Sequence, residues 1–295
     1  MQASNFKALS KTLSQIERGG PKSLALLKTL HKDRRGAPIL GITGLPGAGK
    51  STLVDHLIQL LRAQNKTVGV IAIDPTSPFS GGALLGDRVR MQRHAADEGV
   101  FIRSVGSRGA HGGLSRATRD FALCFDAFGM DHIIIETVGV GQTELDIMGL
   151  ATTTVVVLVP EAGDAIQTLK AGLMEIADIF VVNKADRPGA EQMETMLKAM
   201  WSTPVLLTEA AQGKGVAELW EAVGEHQKAL SRDPAHKKNQ QTLRRAQFLE
   251  MAGDIFKQKM IERLMNDAKL KKMVDQIADD RLNPFEALEK ILSKT

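Results

Sequence analysis

Residues Gly44-Leu45-Pro46-Gly47-Ala48-Gly49-Lys50-Ser51 follow the pattern G-x-x-x-x-G-K-S. Residue types in this order suit an anion. Glycines let the backbone wrap closely around a phosphate with its N–H groups turned inward. A helix starting at the lysine adds partial positive charge. Lys50 is long enough to reach β and γ phosphates, and the Ser51 hydroxyl is an oxygen ligand for Mg²⁺. Thr52 heads the helical run that follows and counts with the phosphate binders.

Asn183-Lys184-Ala185-Asp186 forms a second cluster, C-terminal to the first. The Asp186 carboxylate can accept from guanine N1–H and from the 2-amino group, a donor pair that adenine lacks. The Lys184 stem can lie along a base plane, and Asn183 can hold neighbouring loops. A site built around a donor pair rejects analogues lacking it by about 10⁴-fold. Thr208-Glu209-Ala210 closes a later apolar run, where the Ala210 N–H is expected to face guanine O6.

Three carboxylates follow or flank apolar runs: Asp74, Asp87 and Glu136. Ligands of open α/β sheets bind beyond the carboxyl ends of the strands, so Asp74 and Glu136 are expected at the mouth that holds the phosphate loop. Either can serve Mg²⁺ directly or through water. Asp87, in Gly86-Asp87-Arg88, is expected on a loop beside them. Lys50, Asp87, Glu136 and Gly139 form the expected catalytic set. In Glu136-Thr137-Val138-Gly139, the Gly139 N–H can sense a γ-phosphate. Val140 follows it, where signalling GTPases place a water-orienting Gln, and Gln142 comes later. Slow intrinsic hydrolysis is expected.

These residues need a scaffold that brings distant loops to one edge. The apolar runs Ile39–Thr43, Thr67–Asp74, Val100–Val105, His132–Thr137, Thr153–Val159, Ile179–Asn183 and Val205–Thr208 read as strands. Many are continuously apolar, as parallel strands covered on both faces are. Helical patterns fall between several of them, at Thr52–Gln64, Leu114–Phe128, Ile166–Ile176 and Gln192–Trp201. The alternation predicts a doubly wound, mostly parallel α/β domain over residues 37–230. A helical extension is expected over residues 1–36 and a helical arm over 231–295. Ser231–Gln241, polar and containing Pro234, reads as a linker. Leu249, Ala252, Phe256, Met260 and Leu264 then recur at steps of three and four, one face of a helix.

The chain has 295 residues, 43% apolar and 24% charged, which excludes a disordered or fibrous protein. Cys124 is the one cysteine, so neither a disulfide nor a cysteine metal cluster forms within the chain. The formal charge of +4 belongs to residues 231–295, with 14 Lys/Arg against 10 Asp/Glu; the remainder holds 24 of each. A balanced body with a mildly basic arm argues against a nucleic-acid partner. The longest apolar runs fall far short of the roughly 18 residues that span a bilayer. With no signal-peptide pattern, a cytoplasmic protein without a membrane partner is expected.

Ile73-Asp74-Pro75-Thr76-Ser77-Pro78, Gly86-Asp87-Arg88-Val89-Arg90-Met91, Ser107-Arg108-Gly109, Glu136-Thr137-Val138-Gly139-Val140-Gly141-Gln142 and Asn183-Lys184-Ala185-Asp186 together resemble the MeaB/ArgK family of P-loop GTPases associated with methylmalonyl-CoA mutase. The resemblance implies a homodimeric G-protein chaperone that binds GTP and GDP with Mg²⁺. It implies gating of adenosylcobalamin loading onto an acyl-CoA mutase and protection of that enzyme. The family's older label, an ATPase or kinase linked to basic amino acid transport, is an alternative that the guanine cluster argues against. Another is a metallochaperone GTPase, as for nickel, but no His-rich or Cys-x-x-Cys segment is present. Glu209 departs from the family's usual Ser, and Thr143 stands where Ser is frequent.

Overall fold

The fold is taken from a computed structural model, which describes residues 3–74, 92–94, 96–106, 116–137, 147–162 and 172–292. Asp87, Gly139, Val140, Gln142 and Thr143 lie outside the described residues, as does most of the expected helix Ile166–Ile176. Its last positions, 172–176, form a turn.

Seven strands build one sheet: β1 (Ile39–Gly44), β2 (Val68–Asp74), β3 (Val100–Gly106), β4 (His132–Glu136), β5 (Thr153–Leu158), β6 (Ile179–Asn183) and β7 (Val205–Thr208). Their spatial order is β3-β2-β4-β1-β5-β6-β7, and every pairing is parallel. Parallel neighbours need crossovers; among the described residues, helices Lys50–Ala63, Arg116–Ala127 and Ala190–Met200 make those from β1 to β2, β3 to β4 and β6 to β7. On one face lie α1 (Ala3–Arg18), α2 (Gly20–Asp33), α4 (Arg116–Ala127) and α5 (Ala190–Met200); their Leu9, Leu13, Leu30, Phe121, Phe125 and Leu197 join the core with Ile71, Ile133 and Phe180. On the other lie α3 (Lys50–Ala63) and α6 (Val216–Arg232), which bury Leu53, Leu57, Ile58, Leu219 and Val223 against Ile42, Val70 and Val155. Coverage of both faces explains the unbroken apolar strands.

The N-terminal helices are part of this packing. Phe6 meets Phe101 edge-on at 5.5 Å, and Phe101 meets Phe125 at 5.8 Å. Asp126 on α4 then pins the chain entering β1. Its carboxylate accepts from the backbone N–H groups of Arg35, Gly36 and Ala37 at 2.9–3.1 Å.

The chain divides into two compact units, residues 1–232 and 233–295. The second comprises α7 (Pro234–Asn266), α8 (Ala268–Ala278) and α9 (Pro284–Leu292). The stretch read as a linker is instead the start of α7. Pro234 stands at its first residue, where a missing N–H costs no hydrogen bond, and the following Lys, Gln and Arg residues favour helix. Asp267 caps α8 by accepting from the N–H groups of Lys269 and Leu270 at 2.8 and 3.2 Å.

Candidate functional site

The phosphate loop joins β1 to α3. Gly44 has φ 135° and approaches β5 so closely that a Cβ would lie 2.0 Å from the Val157 carbonyl oxygen. At Gly49, with φ 90°, a Cβ would lie 2.3 Å from Asn183 Nδ2. Any other residue at either position displaces the loop. Lys50 is buried, and its ammonium donates to the carbonyls of Gly44 and Leu45 at 2.8 and 2.9 Å. The loop thus curls around its own cation and holds it where an anion would be received. Pro46, Gly47 and Ala48 complete the curl, with the Ala48 N–H donating to the Leu45 carbonyl at 3.2 Å.

Ser51, at the head of α3, donates from its hydroxyl to Glu136 Oε1 at 2.6 Å. Both are buried, and 85 positions of chain separate them. The sheet register brings them together: Glu136 ends β4, opposite Ile42 of β1 and Ala72 of β2. Gly44 and Asp74 each stand two residues further along those strands. Asp74 therefore sits at the same sheet edge, where its backbone pairs with Gly106. Behind Glu136, Thr137 donates to the Thr43 hydroxyl at 2.8 Å. Ser51 and Glu136 put hard oxygens at one edge, a pair that fits Mg²⁺, which binds through one or two carboxylates and the phosphates it accompanies.

The base-reading cluster is wired directly to the phosphate loop. Asn183 ends β6, buried, with Nδ2 donating to the Ala48 carbonyl at 2.8 Å. Its Oδ1 accepts from the Thr208 hydroxyl at 3.0 Å and the Ala210 N–H at 2.9 Å. The Ala210 N–H expected to face guanine O6 is thus spent on Asn183, because the turn Ala210–Gln212 folds back over the end of β6. Lys184 takes a left-handed backbone, φ 59°, and donates to the Gly47 carbonyl at 2.8 Å. Asp186 is exposed at the tip of this loop. Glu209 pairs with Lys214 at 3.0 Å, across a bridge that closes the adjoining loop. This occupies the carboxylate at the position where the sequence departs from Ser.

Sequence reasoning missed a third cluster. Asp55, one turn into α3 beyond Ser51, is 2% exposed. Its Oδ1 lies 2.8 Å from His94 Nε2, Arg93 forms an ion pair with it, and Gln59 donates to Oδ2 at 3.3 Å. Burial and the Arg93 guanidinium hold the His94 ring below its ordinary pKa, and Asp97 partly opposes them. A signal was present, a carboxylate on the apolar side of a helix, but its partners stand 38 and 39 positions away.

The family description "Methylmalonyl Co-A mutase-associated GTPase MeaB" matches residues 9–268. The chain belongs to this family. It is a P-loop GTPase that binds guanine nucleotides. A Pyrococcus horikoshii protein named as a GTPase is 44% identical to this MeaB-family chain, over 98% of it and 94% of the relative. The mouse protein "Methylmalonic aciduria type A homolog, mitochondrial" is 34% identical over 74% of this chain and 57% of its own. The crystal structure of a LAO/AO transport system kinase matches at a TM-score of 0.67 with 25% identity, covering 97% of this MeaB-family chain and 91% of that one. No helix among the described residues is long and apolar enough to cross a membrane.

Proposed function

We propose that this MeaB-family GTPase is a Mg²⁺-dependent, homodimeric, cytoplasmic switch. It gates adenosylcobalamin loading onto an acyl-CoA mutase of the methylmalonyl-CoA type and protects that enzyme from inactivation. The observation that carries the switch is Asn183, whose amide joins the phosphate loop at Ala48 to the base loop at Thr208 and Ala210. The family's name and that of the mouse relative support the mutase as client.

Ser51, Asp74, Asp87 and Glu136 would hold Mg²⁺, which when bound neutralises charge on the β and γ phosphates. Lys50 exchanges the Gly44 and Leu45 carbonyls for phosphate oxygens. The backbone N–H groups along Gly44–Ser51, Pro46 having none, surround those oxygens with Thr52 behind them. Asp186 accepts from guanine N1–H and the 2-amino group, Lys184 flanks the base, and Asn183, braced by Thr208 and Ala210, keeps base and phosphate loops in register. Gly139 senses the γ-phosphate through its N–H. With Val140 beside it in place of a Gln, the attacking water lacks its usual guide.

The isolated protein should therefore turn over slowly, and binding the client should supply or order the missing group. Such a contribution is worth about 10³–10⁵-fold in phosphoryl transfer. GTP turnover and cobalamin loading, measured with the mutase under GTP, GDP and a non-hydrolysable analogue, test the reading. Turnover should rise on adding the mutase, loading should depend on the γ-phosphate, and Lys50→Ala should abolish both rates. Equal turnover with and without mutase, with loading indifferent to nucleotide, removes the client from the reading.

A further inference from the structure

Two hydroxyls stand where the core of the sheet would accept valine. Thr43 is the last side chain of β1 before the phosphate loop, and Thr137 directly follows β4; they are 0% and 1% exposed. A buried hydroxyl needs a partner. Each is the other's: Thr137 donates to Thr43 Oγ1 at 2.8 Å, across 94 positions of chain. Valine has nearly the same shape and needs no partner, so packing alone does not call for this pair.

The pair lies across the sheet from Ser51 and Glu136. Ile42 and Ile134 pack on the face covered by α3, and Ile133 and Ile135 on the other. Alternation along the strands sends Glu136 toward α3, where Ser51 meets it, and Thr43 to the opposite face, where Thr137 meets it. Between the two faces the Thr137 N–H donates to the Ile42 carbonyl at 3.0 Å. These contacts close a ring. From Thr43 the chain runs through the phosphate loop to Ser51, which bonds Glu136 at 2.6 Å; Thr137 follows Glu136 and bonds back to Thr43. Within that ring, Thr43 and Thr137 alone are assigned to neither phosphate nor metal. Glu136 ends its strand, so the residue after it decides how far its backbone can swing.

We propose that Thr43 and Thr137 are positioning residues for the Mg²⁺ end of the nucleotide site. Their hydroxyl bond clamps the end of β4 to β1 and so keeps Glu136 within hydrogen-bond distance of Ser51. The inference rests on the proposed roles of Ser51 and Glu136 as metal ligands.

The test uses the full-length protein loaded with a fluorescent GDP. The readout is the Mg²⁺ concentration that half-slows nucleotide release, so no turnover is required. Outer groups that orient metal ligands alter metal affinity by about 10–100-fold. Thr137→Val should raise the half-effective Mg²⁺ concentration about tenfold, toward the low end of that range, because it acts at one remove. Thr43→Val should shift it in the same direction, and Thr137→Ser, which keeps the hydroxyl, should stay close to the parent. GDP affinity of Thr137→Val without metal should change less than about twofold, since Thr137 makes none of the phosphate or base contacts.

The double variant Thr43→Val with Thr137→Val separates positioning from general support. Each single variant leaves one buried hydroxyl without its partner, whereas the double variant leaves none, so its melting temperature should recover toward the parent's. Its Mg²⁺ dependence should stay shifted, because the clamp is still missing. A Mg²⁺ shift that disappears as the melting temperature recovers overturns the inference. Glu136→Gln tests the reading beneath it. If Glu136→Gln leaves Mg²⁺ dependence unchanged, the metal role of Glu136 falls and the inference falls with it. If Glu136→Gln shifts it and Thr137→Val does not, the inference alone falls.

Discussion

Asn183 and Asp186 stand three positions apart and divide one task. Asn183 is buried and bonded to protein through both its amide oxygen and its amide nitrogen, while Asp186 is exposed at the loop tip. In the proposed reading, specificity for guanine rests on the Asp186 carboxylate. Asp186→Asn turns one acceptor into a donor and should lower GTP affinity by about 10²–10⁴-fold, the cost of two hydrogen bonds to a charged group. It should favour xanthosine triphosphate, whose C2 carbonyl accepts. Titration of the variant with both nucleotides checks this; an unchanged preference for GTP overturns the assignment of Asp186. Lys50, Ser51, Asn183 and Lys184 were legible in the sequence because motif spacing encodes them locally. Which group each would meet was not. The Ala210 N–H goes to Asn183, 27 positions away, and Glu209 to Lys214, five away, because the fold of that loop and not spacing selects the partner.

Among the elements, α4 carries a titratable residue with consequences for stability. Burial pushes the Asp120 carboxyl up to about 6, against the lowering effects of Arg116 and Arg119. A group raised in the folded state contributes stability that is full below its unfolded value, near 3.8, and lost as pH rises through about 6. Asp120→Asn should therefore stabilise the protein at pH 7.5, by up to about 2–3 kcal/mol. It should do little near pH 4. Thermal melts of both proteins across that range check the sign; a variant that melts lower at pH 7.5 than the parent contradicts it. The strands were readable because burial on both faces leaves continuous apolar runs, as in Ile133–Ile135 and Val155–Val157. The start of α7 was not, because polarity marks a linker and an exposed helix alike. The Asp55 cluster was hidden because tertiary pairing over tens of residues leaves no periodic trace.

For the whole molecule, the second unit raises the question of assembly. On α7, Leu249 and Phe256 are 62% and 57% exposed, with Ala252, Met260 and Leu264 half-buried along the same stripe. Exposed apolar surface at helical spacing marks an interface in a soluble protein. A second copy of the chain is the proposed occupant. Light scattering of the full chain should give twice its 32.0 kDa mass, and Leu249→Asp with Phe256→Asp should return it to the monomer. A monomeric parent at micromolar concentration refutes the dimer.

The strand order also imposes a schedule. β1 emerges from the ribosome first among the strands, yet both of its neighbours, β4 and β5, are made much later. The Ile39 N–H waits for Thr152 Oγ1, 113 positions on. At roughly 5–20 residues per second, that wait is on the order of ten seconds. Gly44 can settle against Val157 only after β5 is complete, and Asn183 must follow before the loop is braced at Ala48. During synthesis the phosphate-binding residues are among the first to exist and among the last to become a site. A nascent chain stalled before β5 carries the glycines and the lysine but lacks the strand and the Asn183 amide that brace their curl in the folded protein.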